Sequence, residues 1–221
     1  MKMLNVRCFL PLLAVLATLT LFTGVSHANL LSGCGACQGS TYLLQYNPAP
    51  VSSTGAEKVW DVFLTVNTTN YNGGGSYINA VSVKVASSSI FADSMLVAAP
   101  GAANSWILGT GGIGANGCTG AGSGFLCASD GQTAPVPGGS YTWEFHYATD
   151  SALALSALGS EIKVQYVDAN GRKVGALMAE KMTLDCVGTC GNNSTIPEPT
   201  TVALLAGILA ISGRAIRRRF V

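Results

Sequence analysis

The chain has 221 residues, a formal net charge of +1, and 48% hydrophobic against 10% charged residues. That length and apolar content suit one globular unit with a real core and exclude a solvated disordered chain. The near-neutral balance also argues against nucleic acid as a partner, because neutralising phosphates needs a basic surface.

Lys2 and Arg7 open the chain, an apolar run occupies residues 9–22, and Ser26 and Ala28 are the small residues that a signal peptidase requires. Residues 1–28 are therefore expected to be a signal peptide for the Sec export machinery, cleaved after Ala28. Leu31-Ser32-Gly33-Cys34 also matches a bacterial lipobox, in which Cys34 would be acylated. Polar Ser26-His27-Ala28-Asn29 separates that motif from the apolar run, which favours cleavage after Ala28.

Residues 29–196 alternate in polarity rather than repeating every three or four positions. Trp60, Val62, Leu64 and Val66 share one face of a predicted strand, and Val81, Val83 and Val85 share another, with Ser82 and Lys84 opposite. In the segment 141–147 the aromatics take one face and Thr142, Glu144 and His146 the other; Ile162, Val164 and Tyr166 line a further strand. Turn-rich pieces at 72–75, 109–124 and 135–139 separate these strands. The expectation is an all-β domain, an antiparallel β-sandwich with long glycine-rich loops. One short helix is predicted at 151–158, with Asp150 placed to cap it and Gly159 to end it. Asp168-Ala169-Asn170-Gly171 is expected to be a hairpin turn. Arg172 and Lys173 put positive charge where a calcium loop needs ligands.

Cys8 leaves with the signal, so six cysteines remain, an even number that suggests disulfides in an exported domain. Their spacing is local: Cys34 with Cys37, Cys118 with Cys127 across the glycine-rich segment, and Cys186 with Cys190. The outer four have a cross-paired alternative that would tie the first strand to the last. Cys34-Gly35-Ala36-Cys37 also invites a redox reading, but no predicted helix follows to acidify the first thiol, which favours a structural bridge.

Catalytic signals are sparse. His146 is the one histidine of residues 29–196, which excludes metal sites needing several imidazoles, and neither metal nor cofactor is expected. His146 shares its strand face with Glu144, and these two are the candidates for a rival reading as a secreted polysaccharide-acting hydrolase. Trp60 and Trp143 fall on apolar faces and are expected in the core. Trp106, beside the glycine-rich segment, is expected to be exposed and able to stack on a sugar ring.

Pro197-Glu198-Pro199 precedes an apolar stretch at 202–211, and Arg214, Arg217, Arg218 and Arg219 follow. As a helix, residues 200–213 would extend about 21 Å, short of a hydrocarbon core of about 30 Å. Basic flanks stay cytoplasmic, so residues 29–196 are expected on the outer side of the membrane. The order Pro-Glu-Pro, short apolar segment, arginine cluster over residues 197–221 resembles the PEP-CTERM sorting signal of exopolysaccharide-producing Gram-negative bacteria. The resemblance implies transient anchoring in the inner membrane, then recognition by an exosortase, a membrane-bound sortase-like peptidase, and removal near Pro197-Glu198-Pro199. With the sparse catalytic signals, the expectation is a non-enzymatic protein of the cell envelope or extracellular matrix, and the resemblance implies association with exopolysaccharide.

The charge divides unevenly among these segments. Residues 29–196 hold six Lys+Arg against ten Asp+Glu, a net of −4, while the two ends carry the positive charge. An acidic body leaves neutral glycans or other proteins as partners.

Overall fold

The computed structural model describes residues 30–130, 133–156 and 158–187. The expected signal peptide with Ala28, Cys190, and the Pro197-Glu198-Pro199 and arginine segment lie outside the described residues. Residues up to Asp185 belong to one compact unit; a second begins at Cys186. Among the described residues no helix is long and apolar enough to cross a membrane.

Among the described residues thirteen strands follow one another: β1 (Thr41–Tyr46), β2 (Ser52–Thr54), β3 (Glu57–Asn67), β4 (Tyr77–Lys84), β5 (Met95–Ala98), β6 (Ile107–Thr110), β7 (Gly112–Gly114), β8 (Gly117–Gly120), β9 (Leu126–Ser129), β10 (Ser140–Thr149), β11 (Ser160–Val167), β12 (Lys173–Met182) and β13 (Asp185–Cys186). The first sheet runs β13-β1-β3-β10-β5 with β2 beside β3, the second runs β12-β11-β4-β9-β6, and β7 and β8 form a separate hairpin. Strands β1 to β12 pair antiparallel. The fold is all-β, as the alternating pattern predicts.

The alternation decides which side chains meet. Tyr42 and Leu44 of β1, Val62, Leu64 and Val66 of β3, and Trp143, Phe145 and Tyr147 of β10 are fully buried on one face of the first sheet. Val81 and Val83 of β4, Leu126 of β9, and Ile162, Val164 and Tyr166 of β11 do the same for the second. The two faces touch where the Tyr42 hydroxyl meets that of Tyr166 at 2.6 Å, and the Trp106 ring, just before β6, lies edge-on to Trp143 at 5.2 Å. Each such aliphatic or aromatic side chain contributes about 1.5–3 kcal/mol by leaving water.

The first sheet keeps its other face near solvent, whereas β4 and β11 are buried on both faces. The second cover is the glycine-rich segment, expected as a loop. It contains the β7–β8 hairpin, which places Ile113 against Ala80 and Cys127, and the Cys118–Cys127 disulfide fastens it there. Glycine at 112 has a specific reason: a Cβ would collide with the Lys163 ammonium, which the hairpin covers.

The helix expected at 151–158 does not form. Leu153 bridges Ala86, and Ala154 N–H donates to Val85 O at 2.7 Å, so the chain runs extended beside the continuation of β4. Asp150 accepts from Ser88 Oγ at 2.7 Å instead of capping a helix. Edge pairing and side-chain partners outside the segment override its Ala-Leu helix propensity. The turn at 168–171 does form. The Asp168 carboxylate accepts from the amides of Asn170 at 2.8 Å and Arg172 at 2.9 Å, while only Gly171 takes a positive φ, +76°.

Candidate functional site

On the near-solvent face of the first sheet, one-in, one-out geometry turns Asp61 of β3 and Glu144 and His146 of β10 outward while their neighbours enter the core. The β3–β10 register sets His146 directly opposite Asp61 and Glu144 opposite Phe63, which puts Glu144 on the diagonal from Asp61. The donor atoms of all three side chains lie within 4.8 Å of one another, and all three residues are half-buried.

Asp61 is held from two sides. Asn47 donates through Nδ2 to Asp61 Oδ2 at 2.8 Å, and the Asn47 backbone amide donates to the Asp61 carbonyl at 3.0 Å. The other carboxylate oxygen, Oδ1, faces His146 Nε2 at 3.1 Å. That separation is within ion-pair range, but its direction does not make a hydrogen bond, and the buried Oδ1 has no hydrogen-bond partner. Among the described residues neither Asp61 nor Glu144 meets a lysine or arginine; the remaining ion pair joins Lys84 to Glu161 at 3.7 Å. Strand β5 borders the cluster, with Met95 opposite His146 and a register shift between Glu144 and Phe145.

Two carboxylates and an imidazole at these distances can share a proton, pair, or ligate a cation. The expectation that no metal belongs here counted imidazoles, and a mixed oxygen and nitrogen donor set needs only one. Sequence reasoning named Glu144 and His146 but missed Asp61. Its signal is a carboxylate inside the apolar run Trp60-Asp61-Val62-Phe63, and its meaning depends on the pairing of β3 with β10.

The other expected site residues fall elsewhere. Trp106 is not exposed: it is 5% accessible, its ring is edge-on to Trp143, and its indole N–H donates to Pro100 O at 3.1 Å and Thr133 Oγ1 at 3.2 Å. The core needed an aromatic plug beside β6, and the residue next to the glycine-rich segment supplies it, so a sugar ring has no access. Trp143 is in the core and Trp60 is half-buried, edge-on to Tyr46 at 6.2 Å. Cys34–Cys37 and Cys118–Cys127 are disulfides with Cα separations of 5.1 and 5.5 Å. Only the three-residue turn Gly35–Cys37 separates Cys34 from the approach to β1, so the helix that a reactive thiol pair needs does not follow.

The hydroxyl-rich hollow formed by Ser88, Ser89, Thr110, Ser123 and Phe125 is a shallow depression of about 300 Å³. It lies apart from the Asp61 cluster. No protein-family model, curated protein or solved structure matches the chain.

Proposed function

We propose that the chain is an exported, tail-sorted, non-enzymatic β-sandwich protein of the cell envelope or extracellular matrix, processed by an exosortase and associating with exopolysaccharide. The observation that carries this reading is the pair of disulfides, Cys34–Cys37 and Cys118–Cys127, in a body flanked by signal-like ends. Such bonds persist in oxidising compartments outside the cytoplasm. The acidic body suits a neutral glycan better than an anionic polymer. Fractionating cells that express the full chain, or the chain lacking residues 197–221, tests it. The full chain is expected in the envelope or matrix, with the truncated chain redistributed. Unchanged retention refutes the tail as an address.

A second reading, a secreted polysaccharide hydrolase, draws support from the approach of Asp61 and Glu144 within 4.8 Å. Glu144→Gln is expected to abolish any turnover of the producing cell's polysaccharide, and turnover that survives it removes this reading.

A further inference from the structure

The Asp61 cluster combines two carboxylates that no described lysine or arginine neutralises with an imidazole nitrogen 3.1 Å from a buried oxygen that accepts no hydrogen bond. We propose that Asp61, Glu144 and His146 bind one divalent transition-metal ion of the zinc class. The inference stands apart from export, sorting and glycan association, because it uses only the outer face of the first sheet.

Geometry supplies the first support. An ion with ligands at about 2.0–2.2 Å placed between Asp61 Oδ1 and His146 Nε2, which are 3.1 Å apart, subtends about 100°, between the tetrahedral and octahedral values. Glu144 reaches the same ion by a small side-chain rotation, since its oxygen already lies within 4.8 Å of both other donors. Strands β3 and β10 pair without a register shift from Lys58↔Thr149 to Asn67↔Ser140, so the two ligand-bearing strands are a rigid platform.

Charge and hydrogen bonding supply the second. Asp61 Oδ1 is buried without a hydrogen bond, a costly arrangement that a cation relieves. Asn47 occupies Oδ2 and so orients Oδ1 toward His146, the role that an outer-shell donor plays around a bound metal. Asn47 is thus a positioning residue. The donor set of one nitrogen and carboxylate oxygens suits zinc better than calcium, which takes six to eight oxygens. His146 and Asp61 side chains keep 26% and 18% exposure, so a remaining coordination position faces solvent and admits water or another oxygen ligand.

Titrating the purified full chain with Zn²⁺ by calorimetry, in parallel with Ca²⁺, tests the site. One Zn²⁺ per chain is expected, with Ca²⁺ binding much weaker. His146→Gln and Glu144→Gln should each weaken Zn²⁺ binding at least tenfold, and Asn47→Ala by about tenfold. Glu180→Gln, on β12 of the second sheet, should change nothing. Co²⁺ gives a second readout, a visible absorption band that His146→Gln abolishes. Thermal melts of the metal-free variants check folding; if His146→Gln fails to fold, Glu144→Gln and Asn47→Ala decide by the same Zn²⁺ titration. Absence of saturable Zn²⁺ binding, binding unchanged by the Glu144 and Asn47 substitutions, or tighter binding of Ca²⁺ would each overturn the proposal.

Discussion

The phenolic oxygens of Tyr42 and Tyr166 lie 2.6 Å apart, one from β1 and the other from β11, and so join the two sheets through the core. Tyr166 donates onward to Ser40 Oγ at 3.1 Å, and the Tyr71 ring stacks on Tyr166 with centroids 4.6 Å apart. A hydroxyl pair inside an apolar core is stable only while each member has its partner.

Removing one hydroxyl leaves the other without its partner, so the two removals should not add. Tyr166→Phe is expected to destabilise by about 1–3 kcal/mol, and adding Tyr42→Phe should cost less than the sum of the single changes. Urea unfolding of the wild type, the two single variants and the double variant measures this. Burial raises both phenol pKa values above the ordinary value. The unfolded chain thus releases these protons before the native chain does. Stability should hold below about pH 10 and fall as pH rises beyond it, with a shallower fall in the double variant. Equal slopes in the two proteins would refute the assignment.

The Cys118–Cys127 bond closes a short loop, with a sequence separation of 9. Replacing both cysteines by alanine should cost about 3 kcal/mol on the chain-entropy relation. Hydrogen exchange should show the loss first in the β7–β8 hairpin, with the β3–β10 ladder still protected. Simultaneous loss in both regions would mean that the hairpin is integral to the core and not a fastened cover.

Lys163 is 8% exposed, and its ammonium sits 4.3 Å from the Phe125 ring centroid. Among the described residues it has no ion pair. Lys163→Met keeps the stem and removes a desolvated charge, so stability should stay within about 1 kcal/mol or rise. Phe125→Ala removes a buried ring and should cost about 3–5 kcal/mol. A large loss in Lys163→Met would show that the cation–ring contact outweighs desolvation.

Trp106→Ala should act through the core. The loss of a ring packed on Trp143 is expected to cost about 3–5 kcal/mol, and any drop in polysaccharide retention should track the unfolded fraction. Trp106→Phe, which keeps an aromatic face against Trp143, should recover most of both. Retention lost at full stability would return Trp106 to a direct glycan contact.

The strand faces were legible in the sequence because alternation is local: Val62, Leu64 and Val66 point one way whatever lies across from them. Gly171 was legible for the same reason, since a positive φ is a property of one residue. Adjacent chain segments also favoured short disulfides, and Cys34–Cys37 and Cys118–Cys127 formed that way. Position 106 could not be read locally, because a tryptophan next to a glycine-rich segment is exposed or buried according to what covers it, and here Trp143 does. The same holds for residues 151–158, where an edge beside β4 competed with helix propensity and won.

The net charge divides along the same line. Composition by itself determined an acidic body of −4 between two basic ends, since charge is additive along a chain. Where two of those acidic residues converge was decided by the tertiary structure alone. Asp61 and Glu144 are 83 positions apart in the sequence, and only the register of β3 against β10 brings them to one imidazole. Long-range pairing is a property of the whole fold, set by which buried faces fit together, and single-residue patterns do not encode it.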